Sequence, residues 1–213
     1  MKFDIITIFP QIFDFYFSES IIKRARDKGL IKIKIHNLRD YANNKYHRVD
    51  DSPYGGGPGM VMMAEPIYKA VLKLKTRKLK TKVILFSAKG KKFDQKMAKS
   101  FSKLDKLIMI CGRYEGVDER VAEYIADEEI SVGDYILTGG EIPAMIVVDA
   151  VIRFIPGVLG KHESLEEIKG SYPVYTRPVS VILNKKKRNV PLVLLSGDHK
   201  KIKEWRRKDK KRL

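Results

Sequence analysis

Short apolar segments of strand length alternate with segments of helical pattern from residue 3 to about residue 154. This alternation constrains the fold more than any other feature. Strands are predicted at 3–9, 31–36, 83–86, 107–111, near 130 and at 135–137. Helices are predicted at 10–28, capped by Gly29, from about 65, 93 and 117, and at 141–154. The sequence therefore predicts an α/β fold with a mainly parallel sheet covered on both faces.

The pattern changes after Pro156-Gly157, where the sequence becomes polar and is interrupted by prolines. We predict a first domain at 1–156, an interdomain linker at 157–172 and a small, mostly helical, basic domain at 173–213. The last helix of that domain is predicted to begin near Asp198. Two predicted domains fit a chain of 213 residues.

Basic residues exceed acidic ones by 43 to 26, which gives a net charge of +17. Thirteen basic residues and only three acidic ones lie at 185–212, and a second run at 69–82 has seven basic residues and no acid. Such runs can simply decorate solvated faces of a lysine-rich protein. Their concentration at one end, around Trp205, favours a nucleic acid partner.

The single cysteine, Cys111, excludes an internal disulfide and suits a reducing compartment, so we expect a cytoplasmic protein. Short apolar stretches interrupted by charge predict no membrane span, and the amino end lacks the apolar run of a secretion signal. Cys111 ends an apolar strand and has no neighbouring histidine. We therefore interpret it as a small buried residue rather than a nucleophile.

Three apolar runs between residues 110 and 145 open into glycine-containing loops: CGRYEG (111–116), SVGDY (131–135) and LTGGE (137–141). Glycine allows unusual backbone angles and close approach of a ligand, so adjacent loops of this kind predict a site for a flat polar ligand. The alternative is three ordinary turns at strand ends.

Familiar nucleotide and metal motifs do not fit the sequence. The first strand leads into Pro10-Gln11 rather than into glycines, which argues against a dinucleotide-binding start. The run at 55–59 lacks the Lys-Ser/Thr of a P-loop. The histidines, at positions 36, 47, 162 and 199, have no metal-ligand spacing, so no metal site is predicted.

Six blocks occur in the order found in bacterial tRNA (guanine-N1)-methyltransferases, and the chain resembles that family over nearly its whole length. The blocks span 49–60, 111–120 (CGRYEGVDER), 133–145 (GDYILTGGEIPAM), 149–160, 175–178 and 194–199. The resemblance implies a SPOUT-like fold, in which a C-terminal trefoil knot of the sheet domain surrounds S-adenosylmethionine. It also implies a homodimer with active sites at the interface. The implied reaction is methylation of N1 of the guanosine immediately 3′ of the anticodon, position 37 of tRNA.

The resemblance assigns twelve residues to S-adenosylmethionine. They are Leu85, Phe86, Ser87, Gly112, Tyr114, Glu115, Val132, Gly133, Tyr135, Leu137, Gly139 and Gly140. The glycines would admit the ligand to backbone donors and acceptors, and Val132 and Leu137 would form apolar walls for adenine. The family often has proline after the serine, where this chain has Ala88.

The resemblance also implies the residues that act on the RNA. N1 of guanine keeps its proton at neutral pH, so a carboxylate base and a cation near O6 are required. Arg153 matches the family's arginine, but the family's catalytic aspartate has no counterpart between Gly160 and Pro173. Glu167 is the preferred replacement and Glu166 the second. Both could instead be solvated linker charges, with the base lost.

Other positions would hold the substrate by the same resemblance. Those around the flipped guanine are Asp50, Asp51, Tyr54, Gly55, Gly57 and Gly59, with Ser52 where relatives often have arginine. Arg177, His199 and the basic helix would bind the RNA backbone. Two further readings stay open: an RNA-binding, S-adenosylmethionine-binding relative without turnover, and a knotted methyltransferase acting on another RNA.

Overall fold

A five-stranded parallel sheet forms the centre of the first part of the molecule. The computed structural model describes residues 1–160 and 172–208, in two compact units, Met1–Leu159 and Gly160–Leu213. The strands of the sheet are β1 (Lys2–Thr7), β2 (Lys32–Asn37), β5 (Thr81–Lys92), β6 (Lys106–Ile110) and β7 (Glu128–Ser131), in the order β2-β1-β6-β5-β7. All neighbouring strands are parallel. The predicted α/β fold with a mainly parallel sheet is confirmed.

Helices connect the strands. They are α1 (Asp14–Phe17), α2 (Ser20–Asp27), α3 (Ala64–Leu74), α4 (Gln95–Phe101), α5 (Glu119–Tyr124) and α6 (Glu141–Ile152). Short 3-10 helices occupy Pro10–Phe13 and Leu38–Tyr41, and a two-stranded antiparallel pair, β3 (Asp50–Asp51) and β4 (Val61–Met62), lies between β2 and α3.

The sheet is buried on both faces, as the short apolar strands predicted. Alternate residues of a strand point to opposite faces, so Leu107 and Met109 of β6 join one core layer and Ile108 and Ile110 join the other. The first layer includes buried residues of α2, α4 and α6, and the second includes those of α3 and α5. Burial on both sides explains why the central strands read as continuous apolar runs.

The end of β5 departs from regular pairing at the edge where the site lies. Its register with β7 shifts between Phe86 and Lys91, so the residues between them bulge out of the ladder. At Gly90 a β-carbon would lie 2.5 Å from the backbone nitrogen of Ile130, so only glycine fits this close approach of β5 and β7. The predicted strand at 83–86 thus continues beyond the bulge to Lys92.

The predicted helix at 10–28 is broken into three pieces. Glu19 is extended and Ser20 has a positive φ of 52°, which separates α1 from α2. The apolar spacing on either side of the break is helical, so periodicity alone did not detect it. The end of the segment is confirmed: Gly29 has a φ of 70° and its N–H donates to the carbonyl of Arg26 at 2.9 Å.

The predicted strand at 135–137 is wrong. Residues 132–140 form a loop between β7 and α6, and the side chains of Tyr135 and Ile136 are largely exposed. Three consecutive apolar residues are too few to distinguish a strand from a loop by their pattern.

The described part of the second unit contains a β-hairpin that the sequence analysis missed, so the expectation of a mostly helical domain was incomplete. Strands β8 (Ser180–Leu183) and β9 (Lys186–Asn189) pair antiparallel. Asn184 and Lys185 join them with positive φ at both positions, as a type I′ turn requires. Helices α7 (Leu192–Leu195) and α8 (His199–Lys208) follow. Strand β9 is basic and exposed throughout, so it has no apolar alternation to reveal it.

Among residues 1–160 and 172–208, no helix has both the length and the apolar character needed to cross a bilayer.

Candidate active site

A cleft of about 510 Å³ opens at the carboxyl ends of β5, β6 and β7. Three segments line it: the bulge of β5, the loop after β6 and the loop between β7 and α6. Its lining residues are 85–89, 112–117, Glu119, 129–132, 135–140 and Pro143. The carboxyl edge of a parallel sheet is the usual location of ligand sites in open α/β folds.

Eleven of the twelve residues that the resemblance assigned to the cofactor line this cleft. They are Leu85, Phe86, Ser87, Gly112, Tyr114, Glu115, Val132, Tyr135, Leu137, Gly139 and Gly140. The twelfth residue, Gly133, is not part of the lining. It packs against the side chain of Tyr135, since a β-carbon on Gly133 would lie 2.3 Å from that ring. The structure thus brings together residues that are separated by as many as 55 positions in the sequence.

Three glycines of the cleft pack closely against other parts of the protein. A β-carbon on Gly139 would lie 2.2 Å from Nε of Arg113, and one on Gly140 would lie 2.6 Å from the α-carbon of Cys111. At Gly112 the nearest atom would be a methyl carbon of Val117 at 3.1 Å. These glycines keep φ outside the left-handed region. The sequence analysis had attributed them to ligand approach, but close packing of the loops is itself a sufficient reason for them.

Tyr114 has the most unusual backbone of the cleft. It adopts a left-handed φ of 61°, which non-glycine residues rarely adopt and which strains the chain. Hydrogen bonds on its carboxyl side hold this conformation: the N–H of Glu115 donates to the carbonyl of Met60, and the N–H of Met62 donates to the carbonyl of Gly116. The loop after β6 is therefore fastened to β4, with Tyr114 half-exposed at the cleft.

Acidic side chains surround the cleft, and the sequence analysis missed two of them. Glu119 and Glu129 line it together with Glu115. The ammonium of Lys89 donates to both carboxylate oxygens of Glu119, at 2.6 and 2.7 Å, and this hydrogen bond raises the pKa of Lys89. The sequence gave no signal for these residues, because Glu119 lies in the first turn of α5 and Glu129 lies in β7, and single glutamates are common at the ends of helices and strands.

Cys111 is fully buried at the end of β6. Burial raises the pKa of its thiol well above the usual value, and the nearby carboxylate of Glu141 raises it further. A buried thiol that stays protonated is a poor nucleophile, which confirms the interpretation of Cys111 as a structural residue.

The residues expected around guanine form a loop next to the cleft. Asp50 and Asp51 form β3, Tyr54 is fully exposed, and Gly55, Gly57 and Gly59 all have positive φ. A β-carbon on Gly59 would lie 2.4 Å from a side-chain carbon of Glu115, so this loop directly contacts the wall of the cleft.

Of the three predicted catalytic residues, Arg153 is the one that lies in the described part of the chain. Within the part of the chain that the structure describes, Arg153 follows α6 and lines a different groove, described below. Glu166 and Glu167 lie outside the described residues. Arg177, which precedes a cis proline, and His199, the first residue of α8, belong to the second unit.

The groove that contains Arg153 is mainly apolar and has a volume of about 530 Å³. Ile12 and Phe15 line it and are exposed, Phe15 by 87%. The hydroxyl of Tyr16 donates to Asp149 Oδ2 at 2.5 Å, and partial burial together with this hydrogen bond raises the pKa of Tyr16 to about 12. Exposed apolar side chains around a groove are typical of a surface that another molecule covers.

Comparison with known proteins identifies the family. The family model described as tRNA (Guanine-1)-methyltransferase TrmD matches residues 1–213. The chain belongs to this family. The resemblance inferred from six sequence blocks is thereby confirmed, and the chain is assigned to a family of enzymes, the tRNA methyltransferases.

Several relatives named tRNA (guanine-N(1)-)-methyltransferase match almost the full chain. The protein of Dictyoglomus turgidum is 54% identical over 214 residues, which cover 98% of this chain and 84% of the relative. That of Carboxydothermus hydrogenoformans is 52% identical over 213 residues, which cover 98% of this chain and 82% of the relative. That of Clostridioides difficile is 49% identical over 220 residues, covering 100% and 94%. The similarity to tRNA (Guanine-1)-methyltransferases thus extends through both units.

Proposed function

We propose that this chain transfers the methyl group of S-adenosylmethionine to N1 of the guanosine immediately 3′ of the anticodon in tRNA. The observation that carries the proposal is the cleft at the carboxyl edge of the sheet, where eleven residues assigned to the cofactor by resemblance lie together. When bound there, S-adenosylmethionine supplies an electrophilic methyl group. The chain's own residues must then bind the cofactor, orient the guanine and accept its proton.

The lining of the cleft fits this cofactor chemically. Val132 and Leu137 provide apolar surface for a flat base, and the glycine-containing loops expose backbone groups for polar atoms. The carboxylates of Glu115 and Glu129 suit a ligand that carries positive charge, whereas that of Glu119 is already paired with Lys89. The volume also lies within the range of roughly 300 to 1,000 Å³ that is usual for small-molecule sites.

We assign the proton acceptor to the linker on the basis of the sequence. A carboxylate would accept the proton of N1, and a guanidinium near O6 would stabilise the negative charge that develops on the base. Glu167 is the preferred base, Glu166 the second, and Arg153 the partner of O6. The loop from Asp50 to Gly59 would hold the flipped guanine.

We also propose a homodimer with its active sites at the subunit interface. Arg153 lines the groove beside Phe15, whereas the cofactor residues line the cleft. A second copy that covered the groove would remove exposed apolar surface from water and would allow Arg153 to serve the cleft of the other copy. This arrangement reconciles the assigned role of Arg153 with its position.

The trefoil knot implied by the resemblance is part of the same proposal. The segments concerned approach each other very closely: the N–H of Gly140 donates to the carbonyl of Gly112 at 3.0 Å.

The small second unit, with α8 and Arg177, is proposed to bind the tRNA backbone, with residues 157–172 as linker. Because tRNA is the proposed substrate and Cys111 is a free thiol, we propose that the protein acts in the cytoplasm.

An alternative role as an RNA-binding relative without turnover is favoured by one feature of the sequence. The linker has glutamates where the family has its catalytic aspartate. This alternative predicts binding of cofactor and tRNA without transfer of a methyl group, so a transfer assay distinguishes the two.

S-adenosylmethionine is expected to raise the melting temperature of the protein, because a ligand that binds only the folded state stabilises it by mass action. At a concentration of about 100 times Kd the stabilisation would be about 2.7 kcal/mol. Differential scanning fluorimetry with S-adenosylmethionine, S-adenosylhomocysteine, NAD and ATP tests this. A shift with ATP alone would contradict the assignment of the cleft.

Affinity for tRNA is expected to fall steeply with salt, because lysines that contact phosphates release counterions. Replacing Lys200, Lys201 and Lys203 by glutamine removes three charges from α8 and leaves the packing of Trp205 against Tyr175 in place. The slope of log K against log salt should then fall by roughly 0.7 to 0.9 per lost phosphate contact. Filter binding across a salt series measures it.

The matched control also removes three charges, at Lys69 and Lys73 of α3 and at Lys75 directly after that helix. If this variant loses as much slope as the α8 variant, or if the α8 variant keeps the parent slope, the proposed role of α8 is wrong. Neither variant should change affinity for S-adenosylhomocysteine.

A further inference from the structure

A buried carboxylate lies behind the cleft, outside its lining. Glu141 begins α6 and is only 1% exposed. Its Oε1 accepts a hydrogen bond from the hydroxyl of Thr7 at 2.7 Å, and its Oε2 accepts one from Nε of Arg113 at 2.9 Å. Burying a carboxylate is costly unless it is paired and hydrogen-bonded, and these two partners offset that cost for Glu141.

Arg113 connects this carboxylate to the wall of the cleft. Its Nη1 donates to the carbonyl oxygen of Thr138 at 3.1 Å, and its guanidinium lies over the ring of Phe9, 4.9 Å from the ring centre. Nε and Nη1 thus bind two different segments at once. The planar guanidinium fixes the direction of both hydrogen bonds.

The backbone at 138–140 packs directly on this side chain. A β-carbon on Gly139 would lie only 2.2 Å from Nε of Arg113, so the side chain of Arg113 leaves no room for one. The next residue, Gly140, donates its N–H to the carbonyl of Gly112 at 3.0 Å. Two of the three segments that line the cleft are therefore joined through Arg113, and the position of Arg113 is set by Glu141.

We infer that Glu141 is a positioning residue for the cofactor cleft: its buried carboxylate orients Arg113, which fixes the backbone of Thr138 and Gly139 in the conformation that receives the cofactor. The inference rests on the proposed function, because it takes the ligand of the cleft to be S-adenosylmethionine. Glu141 itself does not need to touch the ligand. Preorganisation of a wall in this way lowers the cost of binding.

If the pair of Glu141 and Arg113 had only a structural role, its loss would lower the melting temperature without a separate effect on the Kd of the cofactor. Three variants distinguish this role from positioning. Glu141→Gln keeps the shape and loses the charge. Arg113→Lys keeps a positive charge but cannot bind Glu141 and Thr138 at once. Thr7→Val is nearly isosteric; it removes the hydrogen bond to Glu141 and the one that the Thr7 hydroxyl accepts from the N–H of Phe9, and it leaves the groups that join Arg113 to Glu141 and Thr138 unchanged.

Titration calorimetry with S-adenosylhomocysteine and the melting temperature are measured for each variant. Glu141→Gln and Arg113→Lys should each raise Kd by about tenfold. The double variant should be no weaker than the weaker single variant, because both act through one contact. Thr7→Val should lower the melting temperature while changing Kd by less than about threefold. Glu65→Gln, which breaks the exposed pair with Lys69, should change neither quantity.

Parent-like Kd values in both Glu141→Gln and Arg113→Lys would overturn the inference, whatever their melting temperatures. A rise in Kd that follows the loss of melting temperature across all variants, Thr7→Val included, would overturn it as well. If Glu141→Gln does not fold, a parent-like Kd in Arg113→Lys still overturns the inference, because the proposed effect of Glu141 acts through Arg113, whose side chain is partly exposed. Failure of the parent to bind S-adenosylhomocysteine would instead overturn the cofactor cleft and, with it, the inference.

Discussion

Glu167→Gln is expected to lower the single-turnover rate of methyl transfer by roughly a hundredfold or more, while affinity for S-adenosylmethionine stays near that of the parent. The amide keeps the shape of the side chain but cannot accept the proton from N1. Raising the pH should partly rescue this variant, because more guanine then loses its N1 proton without help. Single-turnover methylation of tRNA across a pH series measures both effects.

Glu166→Gln is the matched control, since it neutralises the adjacent carboxylate of the same linker. It should lose much less activity and show no additional dependence on pH. Full activity in Glu167→Gln, or equal losses in the two variants, would show that the proton acceptor has been misassigned and lies elsewhere.

Arg153→Ala is expected to raise the barrier to methyl transfer by about 3 kcal/mol, the usual cost of removing a donor directed at developing negative charge. Arg153→Lys, which keeps the charge but not the planar geometry, should recover part of the rate. Cofactor affinity should stay near that of the parent in both, because Arg153 lines the apolar groove and not the cleft. A parent-like rate in Arg153→Ala would show that Arg153 takes no part in the reaction.

Mixing two inactive variants tests whether Arg153 serves the other subunit. Leu137→Asp places a charge in the proposed adenine wall and should abolish cofactor binding. After subunit exchange at equal concentrations, Arg153→Ala and Leu137→Asp should together recover about a quarter of parent activity, since half of the dimers are mixed and each has one intact site. If Arg153 served its own cleft, mixing would restore nothing.

The centre of the sheet could be predicted from sequence because its inner strands are buried on both faces. Residues 83–86 and 107–111 are apolar at every position. Short, continuous apolar runs of this kind between helices are typical of parallel strands that are buried on both faces. The segment at 135–137 has the same composition but lies in an exposed loop. Its conformation depends on contacts with the loop after β6, such as that between Gly140 and Gly112, which no local pattern contains.

The candidate site was predictable to the extent that sequence blocks identify a family. From those blocks we predicted Tyr114, Glu115 and Leu137 as cofactor residues, and the structure places all three in one cleft. They gave no reason to select Glu141, because an acidic residue in the first turn of a helix is normally a solvated group that interacts favourably with the helix dipole. Its burial depends on Thr7, which is 134 residues away in the sequence.

The packing role of the glycines could not be deduced from sequence either. A glycine before a helix can serve a turn, a ligand or a neighbouring chain segment, and the residue type is the same in each case. Only the positions of Arg113 and Cys111 show that Gly139 and Gly140 are needed for the loops to pack.

Transfer of a labelled methyl group from S-adenosylmethionine to unmodified tRNA tests the central claim most directly, when the modified base is located by nuclease digestion and mass spectrometry. We predict 1-methylguanosine at a single position, immediately 3′ of the anticodon, and no transfer to a tRNA with adenosine there. Methylation of another base or of another RNA would contradict the proposed substrate. Binding of cofactor and tRNA without any transfer would contradict the proposed reaction and support the relative without turnover.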